Sequence, residues 1–108
     1  IISISGLAAR STGSTIGSIR NVAVAALTKN VADEFATQGV TAVVVHPGLT
    51  VTEVTPADAP VPAGSLLGRR VDSREVAAVV AFLASPRAVA INGDAIAVGG
   101  GIRGAIHY

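Results

Sequence analysis

The sequence predicts an α/β fold in which parallel strands are joined by crossover helices, in the order strand, helix, strand, helix, strand. Two observations carry this prediction. The run Thr41–Val45 is apolar and rich in β-branched residues, as are strands of parallel sheets that are buried on both faces. Apolar residues recur every three or four positions before and after this run, which is the helical period. Two consecutive β-α-β units result, so we expect one small parallel sheet.

The first half of the chain is predicted to hold a short strand and a long helix. Ile1–Ile4 is a β-branched run typical of a strand, and the small polar residues up to Gly13 form a loop. A helix over residues 14–38 begins at a Ser14 or Thr15 cap and ends at Gly39. Both sides of this helix are apolar, so both must be covered, by the sheet and by a neighbour or another subunit. One stripe is Ile16, Ile19, Ala23, Leu27, Val31 and Phe35. The other, expected to be the exposed surface that meets a helix of another subunit, is Val22, Ala25, Ala26, Ala32 and Ala36.

The second half begins where Pro47 and Gly48 end the central strand. Residues from about 53 to 71 are rich in Pro, Ala and Gly and have no periodicity, which predicts a mobile loop or a lid. Asp72 and Glu75 have the spacing of a capping box at the start of a second helix. Its apolar face is formed by Val76, Val79, Val80 and Leu83, Ser85-Pro86 end it, and Ala95–Val98 is the third strand.

The composition of the chain argues against several classes of partner and of binding site. A chain of 108 residues is one domain at most, and its net charge of +1 gives no electrostatic case for nucleic acid or an anionic membrane. No apolar run is long enough to span a bilayer. The absence of cysteine excludes disulfides and thiolate metal sites and is consistent with a cytoplasmic protein. His46 and His107 are not spaced as metal ligands. The chain opens on Ile1 and contains no methionine, so we interpret it as a fragment or a processed product.

The best candidate for a ligand site is the carboxyl end of the central strand, because open α/β sheets bind ligands there. The alternative is a plain turn without a ligand. Gly99–Gly104 matches G-x-G-x-x-G, but too little chain follows for the helix and strand that a dinucleotide site needs. Thr12–Gly17 is interpreted as a structural helix start. Three arginines, Arg69, Arg70 and Arg74, form either a solvated loop face or an anion contact.

Several segments together resemble the short-chain dehydrogenase/reductase family. Ile1–Gly6 resembles the strand that carries the serine of that family, and Leu27–Ala32 resembles the middle of its long interface helix. Residues 46–52 resemble its P-G-x-x-x-T nicotinamide loop, and residues 75–101 its last helix and strand. The resemblance covers only the C-terminal half of the family's Rossmann-like, doubly wound domain. It implies an NAD- or NADP-dependent oxidoreductase, with the cofactor held by Pro47, Gly48, Leu49, Thr50 and Thr52.

The resemblance fails at the catalytic motif. The family's Y-x-x-x-K places its tyrosine at Gly17 and its lysine at Asn21 of this chain, and its serine at Gly6 with Ser5 beside it as a weak substitute. In the family the tyrosine is the acid/base and the lysine lowers its pKa and holds the ribose. Glycine has no proton to transfer, and Tyr108 lies far along the chain. We therefore expect a degenerate site that is inactive in this chain, with retention and loss of NAD or NADP binding as the two alternatives.

Two functions remain open. The first is an inactive C-terminal part of an NAD(P)-dependent reductase, and the alternative is a non-catalytic oligomerisation or binding module derived from that fold. In either case the resemblance implies association. We expect a homo-oligomer that uses the 14–38 helix and the last helix and strand, or association with a missing N-terminal half. Neither nucleic acid nor a membrane is expected as a partner.

Overall fold

Strands and helices alternate along the chain in the computed structural model, which describes residues 1–9 and 13–106. Its regular elements are β1 (Ile2–Ile4), α1 (Thr15–Phe35), β2 (Val43–Pro47), β3 (Thr50–Val51), β4 (Val71–Asp72), α2 (Ser73–Leu83) and β5 (Ala95–Val98). Short 3₁₀ turns lie at Leu7–Ala9, Ala36–Gln38 and Pro86–Ala88. The predicted α/β order is confirmed.

The main sheet has the order β1-β2-β5 with all pairings parallel. Ile2 pairs with Val43 and Val44 pairs with Ala95, so β2 is central, as predicted. The predicted bounds of this strand, Thr41–Val45, are wrong by two residues at each end. The backbone N–H of Ala42 donates to Asn92 Oδ1 (2.8 Å) instead of to a strand, and pairing with β5 continues through Pro47.

The segment after β2 contains a pairing that the sequence did not predict. β3 and β4 form a small parallel sheet in which Thr50 pairs with Val71. The predicted loop of residues 53–71 therefore overlaps a strand at Val71, and its two ends are held together by this pairing. The ends of the loop are thereby fixed close to the carboxyl end of β2.

One face of the main sheet packs against α2. The buried residues Val43, Val45, Leu83 and Ala88 form its core, and Val76, Val79 and Val80 of the helix pack around them, as predicted. The capping box is also confirmed, since the N–H of Arg74 donates to Asp72 Oδ1 and that of Asp72 donates to a Glu75 carboxylate oxygen, both at 2.8 Å.

The other face packs against α1. Ser14 caps this helix by accepting a hydrogen bond from the N–H of Gly17 (3.2 Å), and the helix leads through a 3₁₀ turn to Gly39 at φ 79°. The Thr28 hydroxyl lies 2.8 Å from Ser3 Oγ of β1. Both the cap and the glycine stop are confirmed.

The assignment of outward and inward stripes on α1 needs correction. Residues buried by the sheet include Asn21, Thr28 and Ala32, and Ala32 had been placed in the stripe expected to meet another subunit. The first stripe is exposed as well, since Ile16, Ile19 and Leu27 are 81%, 65% and 63% exposed, beside Val22 of the second stripe at 51%. The buried face of α1 could not be recognised from its apolar pattern, because two of its side chains, Asn21 and Thr28, are polar. Over residues 1–9 and 13–106, no helix has both the length and the apolar character needed to cross a bilayer.

Candidate functional site

The candidate site is a cavity of about 380 Å³ at the carboxyl ends of the three main strands. Each strand supplies part of its wall through the residues that follow it, and α1 supplies one side chain. The loop between β3 and β4 closes the outer side. The lining residues are Gly6, Leu7, Asn21, Pro47, Gly48, Leu49, Pro62, Ala63, Ser65, Gly99, Gly101 and Ile102. The volume lies within the roughly 300–1,000 Å³ that is typical of small-molecule sites.

The turn after β2 forms a fixed rim of the cavity. The N–H of Gly48 donates to the Val98 carbonyl oxygen (3.0 Å), and Thr50 Oγ1 donates to the Gly48 carbonyl oxygen (2.9 Å). A Cβ at Gly48 would lie only 2.7 Å from Gly99 Cα. Only glycine allows the exits of β2 and β5 to approach so closely.

The predicted cofactor-binding residues divide into two groups. Pro47, Gly48 and Leu49 line the cavity, whereas Thr50 and Thr52 do not. Thr50 braces the turn as described, and the backbone N–H of the exposed Thr52 donates to Thr55 Oγ1 (2.9 Å). The rim residues thus face a ligand space, and the threonines support the backbone behind it.

The residues at the family's serine and lysine positions meet at the base of the cavity. Asn21 is only 7% exposed, and a Cβ at Gly6 would lie 3.1 Å from its Nδ2. Ser5 donates from Oγ to the backbone carbonyl oxygen of Asn21 (3.2 Å), and it is not among the lining residues. Ser5 therefore joins β1 to α1, while Gly6 and Asn21 face the ligand space.

The residue at the family's tyrosine position lies apart from this cavity. Gly17 is in the first turn of α1, where its N–H is used by the Ser14 cap, and a Cβ there would lie 3.3 Å from Ser14 Oγ. It does not line the cavity. Tyr108 and His107 lie outside the described residues. Among the described residues, no group of three His, Cys, Asp or Glu side chains is placed to hold a metal ion.

Sequence reasoning included a lid among the possibilities for this loop, but it missed the backbone pairing that holds the loop over the cavity. The loop backbone pairs with the segment after β5: Leu66 N–H donates to Gly101 O and Leu67 N–H to Gly100 O, both at 3.1 Å. Gly100 and Gly101 have φ of 76° and 75°, a conformation that glycine adopts at little cost. The only signal of this pairing in the sequence was the glycine triplet Gly99–Gly101. Residues 102–106, which follow this triplet, contain no helix.

An ion pair ties the far end of the loop to α2. Arg69 contacts both carboxylate oxygens of Glu75, at 2.9 Å and 2.7 Å. The pKa of Glu75 is lowered to about 2, mainly by these hydrogen bonds and then by the one from the Asp72 N–H. Arg70 donates from Nε to the Pro60 carbonyl oxygen (3.0 Å). Two of the three clustered arginines therefore brace the loop.

Electrostatically, the cavity is neutral. None of its lining residues is Asp, Glu, Lys or Arg. Leu7, Leu49 and Ile102 make much of the wall apolar, while Asn21 and Ser65 are its polar side chains. The fully buried His46, which is 1% exposed, belongs to the packed interior of β2 and does not line the cavity. Such a wall suits the uncharged part of a ligand.

Comparison with known proteins gives a consistent result. A family profile described as Enoyl-(Acyl carrier protein) reductase matches residues 1–103. The chain is 38% identical over 109 aligned positions to a 3-oxoacyl-[acyl-carrier-protein] reductase of Vibrio cholerae, an alignment that covers 83% of this chain and 43% of that protein.

Two solved structures share the fold. A blue fluorescent protein from a metagenomic library, in complex with NADPH, superposes with a TM-score of 0.82 at 33% identity, over 95% of this chain and 44% of that one. A mutant short-chain dehydrogenase/reductase of Serratia marcescens gives a TM-score of 0.81 at 31% identity, over 94% and 44%. The chain thus spans less than half the length of the relatives that it matches.

Proposed function

Because this chain belongs to the short-chain dehydrogenase/reductase family of oxidoreductases, we propose that it supplies the nicotinamide-facing side of an NAD(P) site without the family's usual acid/base. The observation that carries the proposal is the neutral cavity at the strand ends, bounded by the Pro47-Gly48-Leu49 turn. Ligands of open α/β sheets bind at this edge. When bound, the cofactor would supply hydride chemistry, and the residues of this chain would position its ring and exclude water.

The residues present fit a nicotinamide ring in shape and polarity. Backbone at Gly6, Gly48 and Gly99 bounds the cavity, and the wall carries no charged side chain. Asn21 offers a buried amide to a polar substituent. One structural relative, the metagenomic blue fluorescent protein, is in complex with NADPH, which supports the choice of cofactor class.

None of the described residues that line the cavity carries an ionisable side chain for the proton transfer of the family's reaction. Gly17 has no side chain, and Asn21 carries no charge that could lower the pKa of a neighbouring hydroxyl. Ser5 uses its hydroxyl to bind the Asn21 carbonyl oxygen. We therefore propose that this chain does not transfer hydride between NAD(P)H and a carbonyl or alcohol.

Cofactor binding is tested by titrating the 108-residue chain with NADPH, NADH and reduced nicotinamide mononucleotide. We expect all three to perturb the cavity residues in NMR spectra. The Ala63→Phe variant fills the cavity from the loop side and should weaken binding about tenfold or more, which is about 1.4 kcal/mol. Ala57→Phe is the matched control, since Ala57 is an exposed loop residue outside this cavity. Equal binding by the wild type and Ala63→Phe would contradict the proposed location.

The catalytic part is tested by measuring turnover. The wild-type chain should show none with NADPH and a carbonyl substrate. In a longer protein that contains this chain, Gly17→Tyr together with Asn21→Lys should raise whatever activity is found. Turnover by the wild-type chain that survives Ser5→Ala and removal of contaminating reductases would show that the assignment of these positions is wrong.

A second candidate function is a non-catalytic association module, and one observation favours it. The outward stripe of α1 exposes Ile16, Ile19 and Leu27 by more than half of their surfaces. Such a contiguous apolar stripe is typical of a surface that another helix covers. A homo-oligomer would use this stripe together with α2 and β5.

Association with a separate N-terminal half is the alternative form of this candidate. Within the described residues β1 pairs only with β2, and Ile4 is 55% exposed. A free strand edge can accept a further strand. A groove of about 530 Å³ lined by Ile2, Val43 and Leu83 opens beside it at the opposite end of the sheet from the candidate site. The cytoplasmic location expected from the absence of cysteine stays a prediction.

A further inference from the structure

A second cavity, the loop cavity, lies within the segment that joins β3 to β4. Its volume is about 250 Å³, and none of its lining residues belongs to the candidate site at the strand ends. Valine, alanine and proline side chains form most of its wall, and two arginines complete it. Sites of drug-sized ligands have roughly 300–1,000 Å³, so a ligand of the loop cavity must be small.

Hydrogen bonds within the loop hold the backbone around this cavity. The N–H of Thr52 donates to Thr55 Oγ1 (2.9 Å), and the N–H of Thr55 donates to the Thr52 carbonyl oxygen (3.0 Å). The N–H of Ala59 donates to the Pro56 carbonyl oxygen (3.1 Å). The pairing of β3 with β4 joins the two ends of the loop. The cavity wall is therefore formed without a ligand, which lowers the entropic cost of binding.

The two arginines of the loop cavity differ in what they contact. Arg69 is neutralised by Glu75, whose carboxylate oxygens lie 2.9 Å and 2.7 Å from its Nη1 and Nη2. Arg70 uses only its Nε, which donates to the Pro60 carbonyl oxygen (3.0 Å). Within residues 1–9 and 13–106, neither a hydrogen bond nor an ion pair includes an Nη atom of Arg70. The N–H groups of these two nitrogen atoms are therefore available to a ligand.

The surroundings of Arg70 favour an anion with an apolar part. The side chain is half-buried, and the carboxylates of the loop, Glu53 and Asp58, are exposed and do not line the cavity. A partly desolvated guanidinium gains more from an anion than one in water, and its planar fork matches a carboxylate. Val51 and Val61 of the wall remain 39% and 55% exposed, so an apolar tail would cover them.

We propose that the loop cavity binds a small monocarboxylate, with its carboxylate on the Arg70 guanidinium and a short apolar tail against Val51 and Val61. One guanidinium without an acidic partner neutralises one negative charge. A phosphate dianion would keep a second charge without a partner beside the apolar wall. Of the two interpretations of the arginine cluster, the proposal assigns the anion contact to Arg70. It does not rest on the proposed function, because the two cavities share no residue.

The test titrates the 108-residue chain with butyrate, butyramide, acetate and inorganic phosphate and follows its NMR spectrum. Butyrate should cause saturable shifts of the backbone amide signals of Thr55, Val61 and Arg70, with a Kd of roughly a millimolar for so small a ligand. Butyramide has the same shape without the charge, and it should bind at least about tenfold more weakly, as should phosphate. Acetate lacks two methylene groups and should bind roughly five- to fifteenfold more weakly than butyrate.

Two variants with matched controls locate the binding. Arg70→Gln should weaken butyrate binding about tenfold or more, because the charge-assisted hydrogen bonds are lost. Arg74→Gln removes the same charge from an exposed arginine that does not line the cavity, and it should leave butyrate binding unchanged. Ala59→Leu fills the loop cavity and keeps Arg70, so it should also weaken butyrate binding. Ala81→Leu is its control at an exposed position of α2.

Several outcomes would overturn the proposal. They are butyrate binding by Arg70→Gln as tight as by the wild type, butyramide binding as tight as butyrate binding, and no saturable shift far above the expected Kd. Equal weakening by Arg74→Gln would show general charge attraction and would also refute the site. The amide signal of Val71, whose N–H donates to the Leu49 carbonyl oxygen (3.1 Å), reports whether the loop ends stay paired. If Arg70→Gln moves this signal, Ala59→Leu decides the test.

NADPH titration separates this inference from the proposed function. Arg70→Gln should leave NADPH binding unchanged, because Arg70 does not line the candidate site. Butyrate binding that depends on Arg70, in a chain that does not bind NADPH, would support the loop cavity and refute the cofactor proposal. NADPH binding without butyrate binding would refute only the carboxylate site.

Discussion

Replacing Gly48 by alanine should destabilise the chain, because this glycine allows β2 and β5 to exit side by side. The added Cβ would lie 2.7 Å from Gly99 Cα and 3.0 Å from Gly99 O. Both neighbours are backbone atoms, so no side chain can rotate away. The exits of the two strands must separate, which strains the hydrogen bond from Gly48 N–H to Val98 O.

The magnitude follows from two opposing effects. Forcing an extra carbon into a packed site costs about 1–3 kcal/mol. Replacing a glycine lowers the conformational entropy of the unfolded chain, which stabilises the folded state by about 0.4–1 kcal/mol. From the middle of each range the net loss is about 1.3 kcal/mol, and for a domain of this size it should lower Tm by about 5–10 °C.

The assay is urea and thermal unfolding of Gly48→Ala beside Gly13→Ala. Gly13 is the matched control, because a Cβ there would have no neighbour within 4 Å and its φ is not positive. Gly13→Ala should therefore be neutral or slightly stabilising. If Gly48→Ala is as stable as Gly13→Ala, the exits of β2 and β5 do not approach as closely as described. The description of the cavity rim would then also be wrong.

Two further predictions concern the loop brace and the outer face of α1. Since the pKa of Glu75 is lowered from 4.5 to about 2, its contribution to stability is present above pH 4.5 and is lost as the pH falls towards 2. The unfolding midpoint measured across this pH range should therefore depend less on pH in Glu75→Gln than in the wild type. Identical pH profiles of the two proteins would contradict the role of the Arg69–Glu75 ion pair in bracing the loop. Sedimentation at micromolar concentration should show that the wild type is associated and that Leu27→Lys is shifted towards monomer. Val54→Lys is the control, because Val54 is a loop residue that is 89% exposed, and this variant should sediment like the wild type. A well-folded wild-type monomer would exclude the proposed homo-oligomer.

Sequence reasoning succeeded where the signal is local. The capping box of Asp72 and Glu75 depends on residues three positions apart, and it formed as predicted. The sheet order followed from the alternation of strand and helix patterns, because parallel strands need crossovers. The rim at Pro47 and Gly48 followed from its place after a buried strand.

The features that sequence reasoning missed depend on distant backbone geometry. The pairing of Leu66 and Leu67 with the glycines after β5 requires positive φ values at Gly100 and Gly101, and a glycine triplet does not reveal its partner. The orientation of α1 was misread because the inner face contains Asn21 and Thr28. Polar residues on a buried face weaken the periodic signal on which such assignments depend.

The parallel arrangement of the main sheet also has a consequence for how the chain folds. β2 is the central strand, and each of its partners lies beyond a complete helix crossover in the sequence. No strand pairing of this sheet can therefore form between residues that are close in sequence. The chain must lose loop-closure entropy before any strand pairing can stabilise it. Before the crossover loops close during folding, the apolar run Val43–Val45 is exposed as an unpaired strand. The residues that are most deeply buried in the native state are thus the most prone to aggregation during folding.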